Sequence, residues 1–405
     1  LTVVTVTIKD MIKIQKLPDS FCTLPWINLS TDVNGSLRPC CKFAQPSKSN
    51  EFQLPNMKEG RLDILWNDVR FQNLRQAFLN GQKPKECQSC WDEEAAGVNS
   101  FRLQFAKDKK IDTSVMTFYP VAQTGPRALD LKLNNVCNLK CRICGPQASS
   151  TFLKEHQERF NIKIEDGSYW ISNKILGTSN EEVINIWSKE LVHIEITGGE
   201  PMASPENIKI LELIIKNDRA KDITVLLNTN GTLYNKKFIN LLTQFKNVTL
   251  CLSIDDLGQR LEYQRYPTEW PVILENLDKF KLLAATHKNI WLTLCPTVSV
   301  FNVYYLPEYL DWAKKSGIWI YFNILHYNPC YSIKNLPNTL KELVMTRIPH
   351  KEFKEIRNFL NLNCDDDKLI QEFINNTKEL DRIRSQSFLD TFGIWGQLIT
   401  GYADE

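Results

Sequence analysis

Little charge of either sign stands in excess in this sequence: 49 Lys and Arg face 47 Asp and Glu, a net charge of +2 over 405 residues. That balance removes the electrostatic footprint of a chain that tracks a nucleic-acid backbone, so no nucleic-acid partner is expected. Long apolar runs are missing as well. None approaches the roughly 20 residues that span a bilayer, and the opening LTVVTVTI lacks the basic and small-residue segments of a secretory signal. These features read as a soluble, cytoplasmic protein with no membrane partner. Histidine is scarce, five residues against twelve cysteines. In a reducing compartment clustered thiols point to metal rather than to disulfides, and the shortage of imidazole leaves thiolate-only ligation, iron–sulfur or all-cysteine zinc.

The length is about two to three times that of a usual domain, and four zones follow one another: a tail (1–20), an irregular cysteine-bearing module (21–124), a β/α zone (125–330) and polar amphipathic helices (331–405). Within the third zone, ALDLKL, VHIEIT, ITVLLNTN, VTLCLSID, WLTLCPTVS and IYFNIL read as strands separated by helical patterns such as PENIKILELIIKN and LPEYLDWAKKS. Six β-then-α units in succession predict an α/β fold, a partial (β/α)6 TIM-like barrel that places chemistry at the C-terminal strand ends.

The residues at those ends carry chemical meaning. After the first strand comes CNLKCRIC, with Cys137, Cys141 and Cys144. Three thiolates in so short a loop can hold three irons of a cubane and leave the fourth open, whereas zinc would want a fourth ligand. After the second strand comes Gly198-Gly199-Glu200-Pro201, where glycines admit a close backbone approach and the carboxylate can accept from an ammonium group. Alone, that sequence is only a turn. In the first zone, Asn34-Gly35 between alternating apolar residues predicts a hairpin that brings Cys22 and Cys40 together, and ECQSC adds Cys87 and Cys90. A second cubane or a structural zinc suits these four. Of the remaining thiols, Cys251 alternates onto the interior face with Ser253 and Asp255, and isolated cysteines of this kind mostly pack. Asp365 to Asp367 read as a charge cluster at a helix N-terminus, and Trp26, Trp91 and Trp395 as core or interface aromatics.

The CxxxCxxC loop, GGEP, Asn228 and Asn230 in NTNG, and Ser253 and Asp255 in SIDD with Tyr263 and Arg265 beyond together resemble the radical S-adenosylmethionine (SAM) superfamily over about half the chain. The resemblance implies a SAM-binding 4Fe-4S cluster on Cys137, Cys141 and Cys144. It also implies that Gly198, Gly199, Glu200 and Pro201 receive the SAM amino group, and that Asn228, Asn230, Ser253, Asp255 and Arg265 contact ribose and carboxylate. Ile143 stands where an aromatic residue is usual, which leaves a backbone contact to adenine but weakens stacking. The first zone is similar to SPASM and twitch auxiliary-cluster modules, with the difference that it precedes the barrel. That likeness implies a second 4Fe-4S cluster on Cys22, Cys40, Cys87 and Cys90, with Cys41 as an adjacent spare, and the single ligand set favours the twitch form.

What this resemblance implies for function is reductive cleavage of SAM to a 5′-deoxyadenosyl radical, hydrogen abstraction from a small-molecule or peptide substrate, and oxidation through the auxiliary cluster. An electron donor such as flavodoxin or ferredoxin would supply the reductant. Modification of a peptide by crosslinking or epimerisation is the alternative enzyme reading, with Cys330 as a candidate hydrogen donor. A non-catalytic iron–sulfur or SAM-binding scaffold or sensor is the alternative outside enzymes.

Overall fold

The computed structural model describes residues 17–44, 47, 49–95, 97, 99–114, 116–160, 178–325, 328–362 and 367–403. Most of the tail, Cys364, Asp365 and Asp366 lie outside the described residues.

Ten strands are described: β1 Asn28–Thr31, β2 Leu37–Arg38, β3 Ala128–Leu131, β4 His193–Ile196, β5 Thr224–Thr229, β6 Asn247–Leu252, β7 Ile290–Leu294, β8 Thr297–Val298, β9 Trp319–Ile320 and β10 Asn323–Ile324. Eight form one sheet in the order β2-β1-β3-β4-β5-β6-β7-β9. From β1 through β9 every neighbouring pair is parallel, as helical crossovers require. The order begins at β2 and ends at β9, so the sheet is an open, partial barrel. The sixth expected strand is divided: β9 pairs with β7, while β10 pairs with β8 in a separate two-stranded sheet.

The hairpin is present, with β1 antiparallel to β2 through a turn that holds Gly35 at φ +87°. Its further role was not legible in the sequence. β1 also pairs in parallel with β3, Leu29 facing Leu129 and Ser30 facing Asp130. The N-terminal module thereby extends the barrel's own sheet, and one apolar core runs from Leu24 and Trp26 through Leu129, Ile194 and Val225 to Leu294.

A second core gathers Ile143, Tyr263 and Phe301 with Phe373, Phe388 and Trp395. The last three belong to the C-terminal helices Asp367–Arg384 and Phe388–Thr400. Trp395 is fully buried and donates from Nε1 to the Val300 carbonyl at 2.8 Å, and Trp26 likewise donates to Tyr119. Among the described residues no helix is long and apolar enough to cross a membrane.

Candidate functional site

The cysteine loop leaves β3 and is pinned by backbone bonds: Lys140 N–H donates to the Tyr266 carbonyl at 2.6 Å and Arg142 N–H to the Gln264 carbonyl at 2.8 Å. Cys137 Sγ accepts from Leu139 N–H at 3.4 Å. Burial pushes the Cys137 thiol up to about 12. Cys144 donates to Cys141, which holds the Cys141 thiol down and the Cys144 thiol up. Arg265 Nη1 lies 3.9 Å from Cys141 Sγ, and its Nε donates to Asp255 Oδ2 at 2.7 Å. Asp255 Oδ1 in turn accepts from Thr297 N–H.

Behind the loop packs the glycine pair. Gly199 has φ +50°, and a Cβ there would sit 2.2 Å from the Val136 carbonyl oxygen. Only glycine permits that approach. Glu200 follows, fully buried, and its N–H donates to the same Val136 carbonyl at 2.7 Å. Its carboxylate accepts from Met202 N–H, Thr229 Oγ1 and Asn230 N–H at 3.0, 2.8 and 2.8 Å. Burial raises its pKa against the pull of those donors. Glu200 therefore joins β4 to β5 inside the wall, and three of its acceptor positions are already filled by the protein. Asn230 Nδ2 donates to Asn138 Oδ1 and thereby ties NTNG to the cysteine loop.

The second thiol set lies in the N-terminal module. Cys22, Cys40, Cys87 and Cys90 line one cavity with Leu24, Phe43, Phe78, Lys42 and Arg102. Cys22 and Cys40 flank the hairpin, and Cys87 and Cys90 come from a short helical turn and the helix Gln88–Ala95 that follows it. Burial pushes Cys22 up to about 12 and raises Cys40, Cys87 and Cys90. Leu24 N–H and Arg102 N–H bond to Cys22 and Cys90 and act against that rise. Four thiols, three buried and Cys87 half-buried, with backbone N–H donors and two cationic side chains nearby suit an iron–sulfur cluster, whose charge and soft ligands they match. Among the described residues no three His, Cys, Asp or Glu side chains close on a single ion; a cubane places each thiolate on a different iron.

Cys41 turns the other way. It does not line that cavity; besides its neighbour Lys42, the charges that act on it are Asp130, Glu195 and Lys132. Strand alternation and register put Asp130, Lys132 and Glu195 on one face, the interior face of the barrel. Asp130 and Glu195 are Cα partners on β3 and β4. Asp130 Oδ2 accepts from Ser30 Oγ at 2.6 Å and Glu195 Oε1 from Asn228 Nδ2 at 3.3 Å. Half-buried Glu195 is pushed up to about 7, by burial first and by Asp130 second. The free thiols of Cys251 and Cys295 are joined by a hydrogen bond in the wall.

Several expected contacts fall elsewhere. Cys330 is 5 % exposed and packs in the second core, accepting from Asn376 Nδ2 on a C-terminal helix. Tyr263 is buried and its hydroxyl donates to Asp381. Ile143 also lies in the second core, and its carbonyl accepts from Asn328 Nδ2 at 2.8 Å. Asn228 Nδ2 donates to Glu195, and Arg265 bonds Asp255 and Cys141. The interior acids Asp130 and Glu195 were missed, although strand alternation in ALDL and HIEI places both on one face.

Comparison with known proteins agrees with this arrangement. Residues 131–283 match the family model of the Radical SAM superfamily. Residues 22–91 match that of SPASM, an iron–sulfur cluster-binding domain. The chain thus carries a radical SAM domain with a SPASM-type module N-terminal to it. These domains bind a 4Fe-4S cluster with SAM and an auxiliary iron–sulfur cluster. No curated protein matches the sequence. Among solved structures, native anSMEcpe with bound AdoMet is 18% identical with a TM-score of 0.37, covering 64% of this chain and 62% of that one. Streptococcus suis SuiB bound to S-adenosylmethionine is 16% identical with a TM-score of 0.37, covering 74% and 58%. SuiB bound to precursor peptide SuiA is 16% identical with a TM-score of 0.39, covering 72% and 62%. The chain spans about three fifths of the length of these structures.

Proposed function

We propose that the protein is a radical SAM oxidoreductase in which Cys137, Cys141 and Cys144 hold the SAM-binding cluster and Cys22, Cys40, Cys87 and Cys90 the auxiliary one. The observation that carries this reading is the parting of Cys40 and Cys41, one into the four-thiol cavity and the other beside the barrel acids. Cofactor chemistry supplies a 5′-deoxyadenosyl radical for hydrogen abstraction and, at the all-cysteine cluster, a one-electron acceptor. The chain's residues do the rest. Gly199 and Glu200 brace the cysteine loop from behind, and Arg265 places a positive charge against Cys141. In the hollow, Asp130 and Glu195 confront the substrate, and Glu195 Oε2 accepts no hydrogen bond among the described residues. It is placed to take the proton that a substrate radical releases on oxidation, as a general base with a pKa near working pH does.

A peptide substrate is the second reading, favoured by the exposed aromatics of the open edge. Trp319 pairs with Thr293 on β7, and Trp291 shares its face. Both are exposed, at 69% and 52%, and Tyr321 at 54%. Exposed aromatics beside a hollow suit an extended chain more than a small polar metabolite.

Product mass tests the oxidative outcome. Dehydrogenation gives a product two hydrogens lighter, with one 5′-deoxyadenosine formed per turnover; a mass-neutral product that gains solvent deuterium in heavy water would refute it and support epimerisation.

A further inference from the structure

The C-terminal helices lie beyond both matched domains, yet one of them holds the cysteine loop. Arg142, directly after Cys141, has a fully buried side chain. Its Nη2 donates to Asp381 Oδ1 at 2.6 Å and to Gln386 Oε1 at 3.0 Å, and its Nε to the Tyr263 carbonyl at 3.1 Å. The guanidinium lies 3.6 Å above the Tyr263 ring, whose hydroxyl donates to the same Asp381 oxygen at 2.7 Å. The other neighbour of Cys141 is tied to the same helix. Lys140 Nζ bonds Glu155 Oε2 at 3.1 Å, and Glu155 Oε1 accepts from Arg384 Nη2 at 2.8 Å with both side chains buried. Asp381 and Arg384 stand one turn apart on the helix Asp367–Arg384. Thus the C-terminal helix grips Arg142 directly and reaches Lys140 through Glu155.

Resting on the assignment of this loop to the SAM cluster, we propose that the helix Asp367–Arg384 is part of the catalytic centre, a clamp whose positioning residues Asp381 and Arg384 hold the cysteine loop in its cluster-binding conformation through Arg142 and Glu155. Loss of the Asp381 charge leaves Arg142 buried without its counter-ion, and a buried charge in that state moves toward water rather than staying put. The displacement falls on the residue after Cys141. The auxiliary thiols share none of these bonds.

The test is anaerobic reconstitution of the full-length wild type, Asp381→Asn and Tyr263→Phe, followed by electron paramagnetic resonance of the reduced proteins with and without SAM. Tyr263→Phe keeps the ring beneath Arg142 and removes one bond to Asp381, so it guards against a variant that fails to fold. We expect the SAM-responsive signal to fall by about tenfold in Asp381→Asn, and by less in Tyr263→Phe, with the auxiliary signal retained in both. Arg142→Lys, which keeps charge but not the fork or the stack, should behave like Asp381→Asn. Full SAM-responsive signal in Asp381→Asn would overturn the clamp, as would joint loss of both signals in Tyr263→Phe, which marks a general folding role. A SAM-responsive signal that survives Cys141→Ala would instead overturn the loop assignment beneath it.

Discussion

Glu195 shows how the barrel interior shifts an ordinary side chain. Burial beside Asp130 raises its carboxyl from 4.5 to about 7. Between those values the native state keeps a proton that the unfolded chain has released. The associated stability is complete below about 4.5 and is lost as pH rises through about 7. Glu195→Gln cannot ionise, so its melting temperature should gain on that of the wild type as pH is raised from 5.5 to 8. Parallel melting curves across that range would refute the shift. Glu200 shows the limit of reading chemistry from a motif. GGEP in the sequence says that a carboxylate follows two glycines at a strand end. Its three internal donors come from Met202, Thr229 and Asn230, and two of these lie on another strand unit whose alignment no local pattern encodes.

Among the elements, the hairpin β1–β2 carries the most consequence. Asn34-Gly35 announces the turn, and alternation announces the strands, so its existence was legible in the sequence. Its addition to the edge of β3 was not, because parallel pairing across about a hundred residues leaves no short-range signal. That pairing sets the directions of the adjacent thiols at the hairpin's end, Cys40 into the four-thiol cavity and Cys41 toward Asp130 and Glu195. Cys40→Ala should therefore lose the auxiliary cluster, and Cys41→Ala should keep it while impairing turnover. Iron and sulfide analysis with product assay of both variants checks this. Loss of iron in Cys41→Ala but not in Cys40→Ala would reverse the assignment. The helices divide in the same way: 3.6-residue periodicity marks Asp367–Arg384 as amphipathic, but only the packed structure reveals that Asp381 bonds Arg142 in the cysteine loop and that Arg384 bonds Glu155 behind it.

For the molecule as a whole, one open sheet carries both thiol sets, the three-cysteine loop at the end of β3 and the four-cysteine cavity on the hairpin beside it. The proposed substrate space is the interior of the barrel, with Cys41, Asp130 and Glu195 on one side and the exposed Trp319 and Tyr321 at the open edge. The βα order and the cysteine loop were legible because each is local and periodic. The sharing of one core between N-terminal module and barrel, and the second core that seats the C-terminal helices, depend on contacts among distant segments. The claim that joins these parts is that two separate cubane clusters occupy this chain. It is tested most directly by Mössbauer spectroscopy and iron analysis of the 57Fe-reconstituted wild type and of a variant with Cys137, Cys141 and Cys144 changed to Ala. About eight irons per chain, all in cubanes, are expected in the wild type, and about four in the variant, with no SAM cleavage. Zinc in place of iron at the N-terminal thiols, or a wild type that binds only one cluster, would contradict the account.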